Sequence, residues 1–196
     1  GDDWQSIFGF TGSDIQMTTN FDSVFGYSSR VDLDRTFRFT QPILELSADF
    51  VQSNPTPLKK TISARQAKLD KSVEIMFPDG PGAVDLRDVF KKIDAERPSR
   101  ARLSVQLLGR YNFSEPNNWR EVAATFKMLD VEFFSVHRSK GLEAHVVVVL
   151  DLIGGRFGFP GEIPDDPIMH LILPGPADFP KAEERRVFYV ALPRAK

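Results

Sequence analysis

The chain has 196 residues and a mass of 22.1 kDa, enough for one well-buried domain with part of a neighbour, and its 41% apolar and 27% charged content is ordinary for a globular chain and gives no sign of disorder. Lysine and arginine total 25 against 27 acidic residues, so a net charge of −2 gives no general attraction to nucleic acid and any such binding must come from a local cleft. With no cysteine and three scattered histidines there is no disulfide framework and no ligand spacing for structural zinc, a reducing cytoplasm is the expected compartment, and the apolar run 146–150 with 152–153, broken by Asp151, falls far short of the ~20 residues that span a bilayer.

Taken in order, Val31-Asp32-Leu33 is a short strand candidate, and the spacing of Ile43, Leu46, Phe50 and Val51 predicts a helix over 42–52 that Asn54-Pro55-Thr56-Pro57 ends. Val73-Glu74-Ile75-Met76-Phe77 alternates as a strand. The turn residues 78–82 then lead into a helix over 84–95 with Val84, Val89, Phe90 and Ile93 on its buried face. A strand over 102–108 is followed by a helix over 117–129, opened by Asn117 or Asn118 as cap, with Trp119, Val122 and Phe126 inward. Strands are expected at 131–136 and 145–150, the second so rich in valine that it reads as a parallel strand covered on both faces. From 154 to 180 there are five glycines and six prolines, an irregular excursion, and a last helix over 181–192 starts with Glu183-Glu184 where the helix N-terminus favours acids. Alternating strands and helices give an α/β class with a central, mainly parallel sheet.

Three blocks carry more than periodicity: Gly1-Asp2-Asp3-Trp4-Gln5-Ser6-Ile7-Phe8, then Val136-His137-Arg138-Ser139-Lys140-Gly141-Leu142-Glu143, then Glu183-Glu184-Arg185-Arg186-Val187-Phe188-Tyr189-Val190-Ala191-Leu192-Pro193-Arg194-Ala195. In wording and order they resemble the third, fifth and sixth motifs of UvrD/Rep-type superfamily 1 DNA helicases, most nearly the helicase IV-like branch. Leu33-Asp34-Arg35-Thr36-Phe37-Arg38-Phe39 looks like the fourth motif, and Leu107-Leu108-Gly109-Arg110-Tyr111-Asn112 like a segment that holds the DNA backbone.

The resemblance implies roles residue by residue. Gln5 would read the γ-phosphate, Phe37 would stack on adenine, Arg38 and Arg194 would reach phosphate, and Glu143 would meet the ribose. A guanidinium suits phosphate because it is always charged and forks onto two oxygens, and an arginine finger supplies ~10³–10⁵ in rate in phosphoryl transfer. Ser135, His137, Arg138, Lys140, Arg110 and Asn112 would lie against the DNA strand, where charge on phosphates is read irrespective of sequence. Phe8 and Phe10 stand where the family has Tyr and Trp. They either stack on bases or, in a chain with 17 phenylalanines, belong to the core. Taken alone, Arg38 is better read as the surface salt-bridge partner of Asp32 or Asp34. Pro193 replaces the usual threonine before the sixth-motif arginine and, lacking an amide donor, could re-aim Arg194.

The expected fold is therefore a RecA-like, P-loop NTPase-type three-layer α/β fold that lacks its own phosphate loop, since no Gly-x-x-x-x-Gly-Lys-Ser/Thr is present. Residues 1–30 would be the tail of a first motor domain and 31–196 the second, with no large accessory domain inserted between 112 and 131. ATP and Mg2+ would be bound in the full-length protein and neither by this part alone, which would be inactive by itself. The expected partners are single-stranded or duplex DNA and the first motor domain of the same polypeptide, with 3′-to-5′ movement implied by the family. A different class stays open: a binding module that keeps the scaffold without the motor, which Pro193, Phe8 and Phe10 favour. No nuclease carboxylate cluster is visible.

Overall fold

The computed structural model describes residues 2–8, 16–29, 31, 33–53, 62–66, 73–80, 82–98, 101–163 and 181–195. Within them the class is mixed α/β and every strand pairing is parallel. A 3-10 turn at Asp3–Gln5 and two short helices, α1 (Gln16–Thr19) and α2 (Phe21–Phe25), precede the first strand. That strand, β1 (Arg35–Thr40), lies beyond the expected 31–33, because Val31 and Leu33 find nothing to cover them and stand exposed. It pairs with β2 (Ser63–Gln66), Arg35 opposite Ser63 and Thr36 opposite Ala64. The alternating segment 73–77, expected as a strand, pairs with no strand among the described residues, and its Ile75 and Phe77 are exposed.

Between β1 and β2 runs α3 (Gln41–Gln52), with Pro42 in the first turn, where its missing N–H costs nothing. Ile43, Leu44, Ser47 and Val51 form its buried face. Leu46, expected there, is turned to solvent, since the face follows the 43, 47, 51 row instead. Next comes α4 (Leu86–Ala95), where the Asp85 carboxylate caps the helix by accepting from the Arg87 amide at 2.8 Å.

Three strands make the principal sheet in the order β4-β3-β5: β3 (Leu103–Gly109), β4 (Leu129–Ser135) and β5 (Val146–Val149). The intervening α5 (Trp119–Ala124) is shorter than the expected 117–129. Tight turns from Ala123 to Phe126 and from Phe126 to Leu129 end it, and Leu129 begins β4. Asn118 enters it in the left-handed region (φ 59°) and its side chain makes no cap. Val136, expected to close β4, instead opens α6 (Val136–Ser139). The valines of β5 are half-buried rather than covered on both faces, because β5 pairs on one side only among the described residues.

Strand periodicity explains the layers. Leu103, Val105 and Leu107 of β3 point to one face, where Phe90 of α4 and Trp119 of α5 meet them. Leu108 points to the other, into a cluster with Trp4, Ile7, Val51, Val136 and residues of the last helix, α7 (Ala182–Ala191). Helices thus cover both faces of a parallel sheet, the three-layer arrangement of a RecA-like α/β fold. Residues 154–163 contain neither helix nor strand beyond one isolated bridge between Gly155 and Gly161. No helix among the described residues is long and apolar enough to cross a membrane.

Candidate functional site

Fourth-, fifth- and sixth-motif residues meet at the end of α7. Strand β1 carries Phe37 with its ring exposed and Arg38 half-buried, and Arg38 Nε lies 3.7 Å from Oε1 of Glu143. The chain leaves α7 through a 3-10 turn, Leu192–Arg194, where Pro193 ends the α-helical conformation. Arg194 then folds back. Its Nε donates to the Val190 carbonyl at 2.9 Å and Nη1 to the Leu142 carbonyl at 3.4 Å, while its own carbonyl accepts from the Ala144 amide at 3.0 Å. Side chain and main chain of Arg194 together lock the sixth motif onto the loop that holds Glu143.

Electrostatics report the same convergence. Burial, with Arg194 only 1% exposed, and then the neighbouring Arg38 push the Arg194 guanidinium down to about 10, against the pull of Glu143. Tyr189, buried beside it, has its phenol raised by burial first and then by Asp2, while Arg38 and Arg194 act in the opposite sense. Two guanidinium groups crowded around one carboxylate are a local excess of positive charge. No group of three or more acids and histidines able to hold a metal ion occurs among the described residues.

The third-motif segment lies across this same layer. Trp4 and Ile7 are fully buried, Trp4 edge-on to Tyr189 with ring centroids 5.3 Å apart. Consecutive carbonyls of the segment are each taken by a basic side chain: Gln5 by Lys140 Nζ at 3.0 Å, Ser6 by Arg186 Nε at 2.7 Å, and Ile7 by His137 Nε2 at 3.0 Å. Because a carbonyl only accepts, His137 must carry its proton on Nε2. Burial, then Arg110, lowers the His137 pKa below its ordinary value. Phe8 follows, half-buried, with the His137 ring edge-on at 5.6 Å and Lys140 Nζ 5.2 Å from its centroid. The Gln5 amide donates to the Asp2 carboxylate.

Other nominated residues are placed differently. Arg110, expected against a DNA backbone, has its fork engaged by Glu184 of α7, with Nε 2.9 and 3.0 Å from the two carboxylate oxygens. Asn112 and Arg138 are exposed, whereas Ser135 is buried at the start of α6. Phe10 lies outside the described residues. Sequence reasoning passed over Arg186, although its position four residues after Ala182 and before Val190 put it on the apolar face of α7. A charged residue on such a face is a signal of a buried partner.

Comparison with known proteins follows the same lines. The model of the UvrD-like helicase C-terminal domain matches residues 84–196. DNA helicase IV of Escherichia coli (strain K12) is 35% identical over 196 residues, which cover 100% of this chain and 28% of that protein. The chain thus spans about 28% of the length of the curated relative it matches.

Proposed function

The chain belongs to the UvrD-like helicase C-terminal domain family and is related to DNA helicase IV, and from that premise we propose that it serves as the second motor domain of an ATP-dependent DNA helicase. The observation that carries the reading is the meeting of Arg38, Glu143 and Arg194 from three separated motifs. Crowded guanidinium groups suit a polyphosphate, which relieves their mutual repulsion. When bound, ATP supplies the phosphoryl transfer that drives movement.

In this reading the exposed ring of Phe37 offers a face to adenine, Arg38 forks onto phosphate, and Glu143 orients the ribose. Arg194 is aimed by its two carbonyl contacts, and Gln5 senses the γ-phosphate from a segment held on the same layer. Mg2+ and the phosphate loop belong to a first motor domain of the full-length protein, with residues 1–30 as the tail of that domain and 31–196 as the second. Phe8, His137, Arg138 and Lys140 face single-stranded DNA, and the family resemblance extends that role to Ser135, Asn112 and Phe10. Arg110 contributes through its pairing with Glu184. Movement is 3′ to 5′, as the family resemblance implies, in a cytoplasmic enzyme.

One observation favours a second reading, a binding module that has kept only the scaffold: Arg194 is 1% exposed and already satisfied by main-chain carbonyls. ATP hydrolysis by the full-length protein, with and without DNA, separates the two. DNA-stimulated hydrolysis that drops by ~10³ or more in both Arg38→Ala and Arg194→Ala is expected of the motor. Absent hydrolysis, or rates indifferent to both changes, would leave the scaffold.

A further inference from the structure

Beyond the end of β3, beside the nominated Arg110 and Asn112, gather three aromatic rings to which the motifs give no role. Tyr111 and Phe113 stack with centroids 4.8 Å apart and 9° between planes, and Phe113 meets Phe157 edge-on at 5.5 Å and 88°. Phe113 is 65% exposed and Phe157 56%. Rings that large in a globular chain normally enter the core, so an exposed contiguous set of them calls for an occupant.

Charge points to its chemistry. Arg156 lies over Phe157 at 5.3 Å from the centroid and Arg110 over Tyr111 at 4.6 Å. Glu184 neutralises Arg110, so Arg156 is the cation this cluster presents to an incoming anion. The platform is also held rigid. Glu184 accepts from the Gly161 amide at 2.8 Å while it grips Arg110, pinning the loop that carries Phe157 to the end of β3. The loop passes so close to Tyr111 that a β-carbon at Gly161 would stand 2.3 Å from the phenolic oxygen. Little conformational freedom is left to lose on binding.

Position supplies the last element. Arg110 and Glu184 are near enough to His137 to act on its charge, and His137 abuts Phe8 with Lys140 over that ring. Through Arg110, which lies over Tyr111, the aromatic cluster is thus linked to the neighbourhood of His137 and Phe8. We infer that Phe113 and Phe157 are a base-stacking platform for single-stranded nucleic acid, lengthening the strand-binding face past the family's motifs, with Arg156 beside it for a phosphate. Aromatic faces stack on any base, which fits a site that must accept every sequence. This inference rests on the nucleic-acid reading proposed above.

The test is anisotropy titration of a labelled oligothymidine with the full-length protein, comparing Phe113→Ala, Phe157→Ala, Phe113→Tyr, Arg156→Ala and, as a marker of the motif face, His137→Ala. Each phenylalanine-to-alanine change is expected to weaken binding on the order of ten-fold with the salt dependence unaltered, because stacking releases no counterions. Phe113→Tyr should bind like the parent, and Arg156→Ala should flatten the salt dependence. Thermal melting separates folding from binding, since both rings are exposed and their loss should leave the melting temperature nearly unchanged. If His137→Ala weakens binding while both phenylalanine variants bind like the parent, the platform is refuted and the motor reading survives. If the parent itself binds no oligothymidine, both are refuted.

Discussion

Arg186 on α7 donates from Nε to the carbonyl of Ser6 across 2.7 Å, joining the two ends of the described chain. Lys140 and His137 do the same for the carbonyls on either side. The segment that senses nucleotide in the proposed motor is thereby tied to the helix and loop that would meet DNA.

Arg186→Met keeps the packing of the stem but removes the donor, leaving the Ser6 oxygen against an apolar group. Amides of residues 4–8 should exchange faster with solvent, and urea unfolding should show a loss of ~1–3 kcal/mol, the usual worth of a hydrogen bond to a charged group. Unchanged protection of those amides would show that Arg186 is not the tether.

His137 gives the docking a pH dependence whose sign can be worked out. Its folded pKa lies below the unfolded value of about 6.5, chiefly through burial. The unfolded chain therefore binds the proton more readily, and stability should rise with pH through the window between the folded value and about 6.5, being fully present above it. Acidification from pH 7.5 to 5.5 should lower the melting temperature of the parent more than that of His137→Gln. Equal shifts in the two proteins would remove His137 as the cause.

Arg110 and Glu184 form a fork-to-carboxylate pair whose side chains are only 16% and 13% exposed. A double-mutant cycle with Arg110→Met and Glu184→Gln should return a coupling of about 1–3 kcal/mol, larger than for a surface pair. Glu184→Gln alone should be the more damaging change, since it leaves a half-buried guanidinium with its partner charge gone and loosens Gly161 as well. Additive effects within error would make the pair incidental.

Gly109, the last residue of β3, has room for hydrogen only. A β-carbon there would lie 2.8 Å from Cβ of Ser114 and 3.1 Å from the ring of Phe133. Gly109→Ala is expected to cost ~1–3 kcal/mol by overpacking, seen as a lower urea midpoint. Because the displaced neighbour is the turn Asn112–Ser114, the same variant should disturb the stacking of Tyr111 and Phe113.

How far such features can be foreseen depends on whether they are local. The principal sheet and the helices α4 and α7 were legible because buried apolar residues recur at strand or helix spacing. By contrast β2 has no apolar alternation at all: its Ser63 amide donates to the Asp34 carbonyl at 2.8 Å, and its Ala64 amide to the side chain of Gln41 at 3.0 Å. Segment 73–77 shows the opposite failure, alternation with no strand beside it among the described residues. The motif blocks nominated the residues of the candidate site, yet said nothing of which groups of this chain each would touch. Arg110 looked like a ligand-facing cation, and its carboxylate partner lies 74 positions away. Arg186 was hidden inside a run of charges whose helical phase alone distinguishes the inward member.

The grips on residues 5–7 all close on peptide oxygens, and such oxygens recur identically at every position of a chain. Slippage by one residue would offer each donor an equivalent acceptor, but it would drag Trp4 and Ile7 from the cavities they fill. Alignment is thus a duty of two hydrophobic anchors, and tensile strength a duty of three side-chain donors. The Gln5 side chain takes no part in either duty and is free to be retuned, whereas the Phe8 ring is bound to the grip through His137 and Lys140.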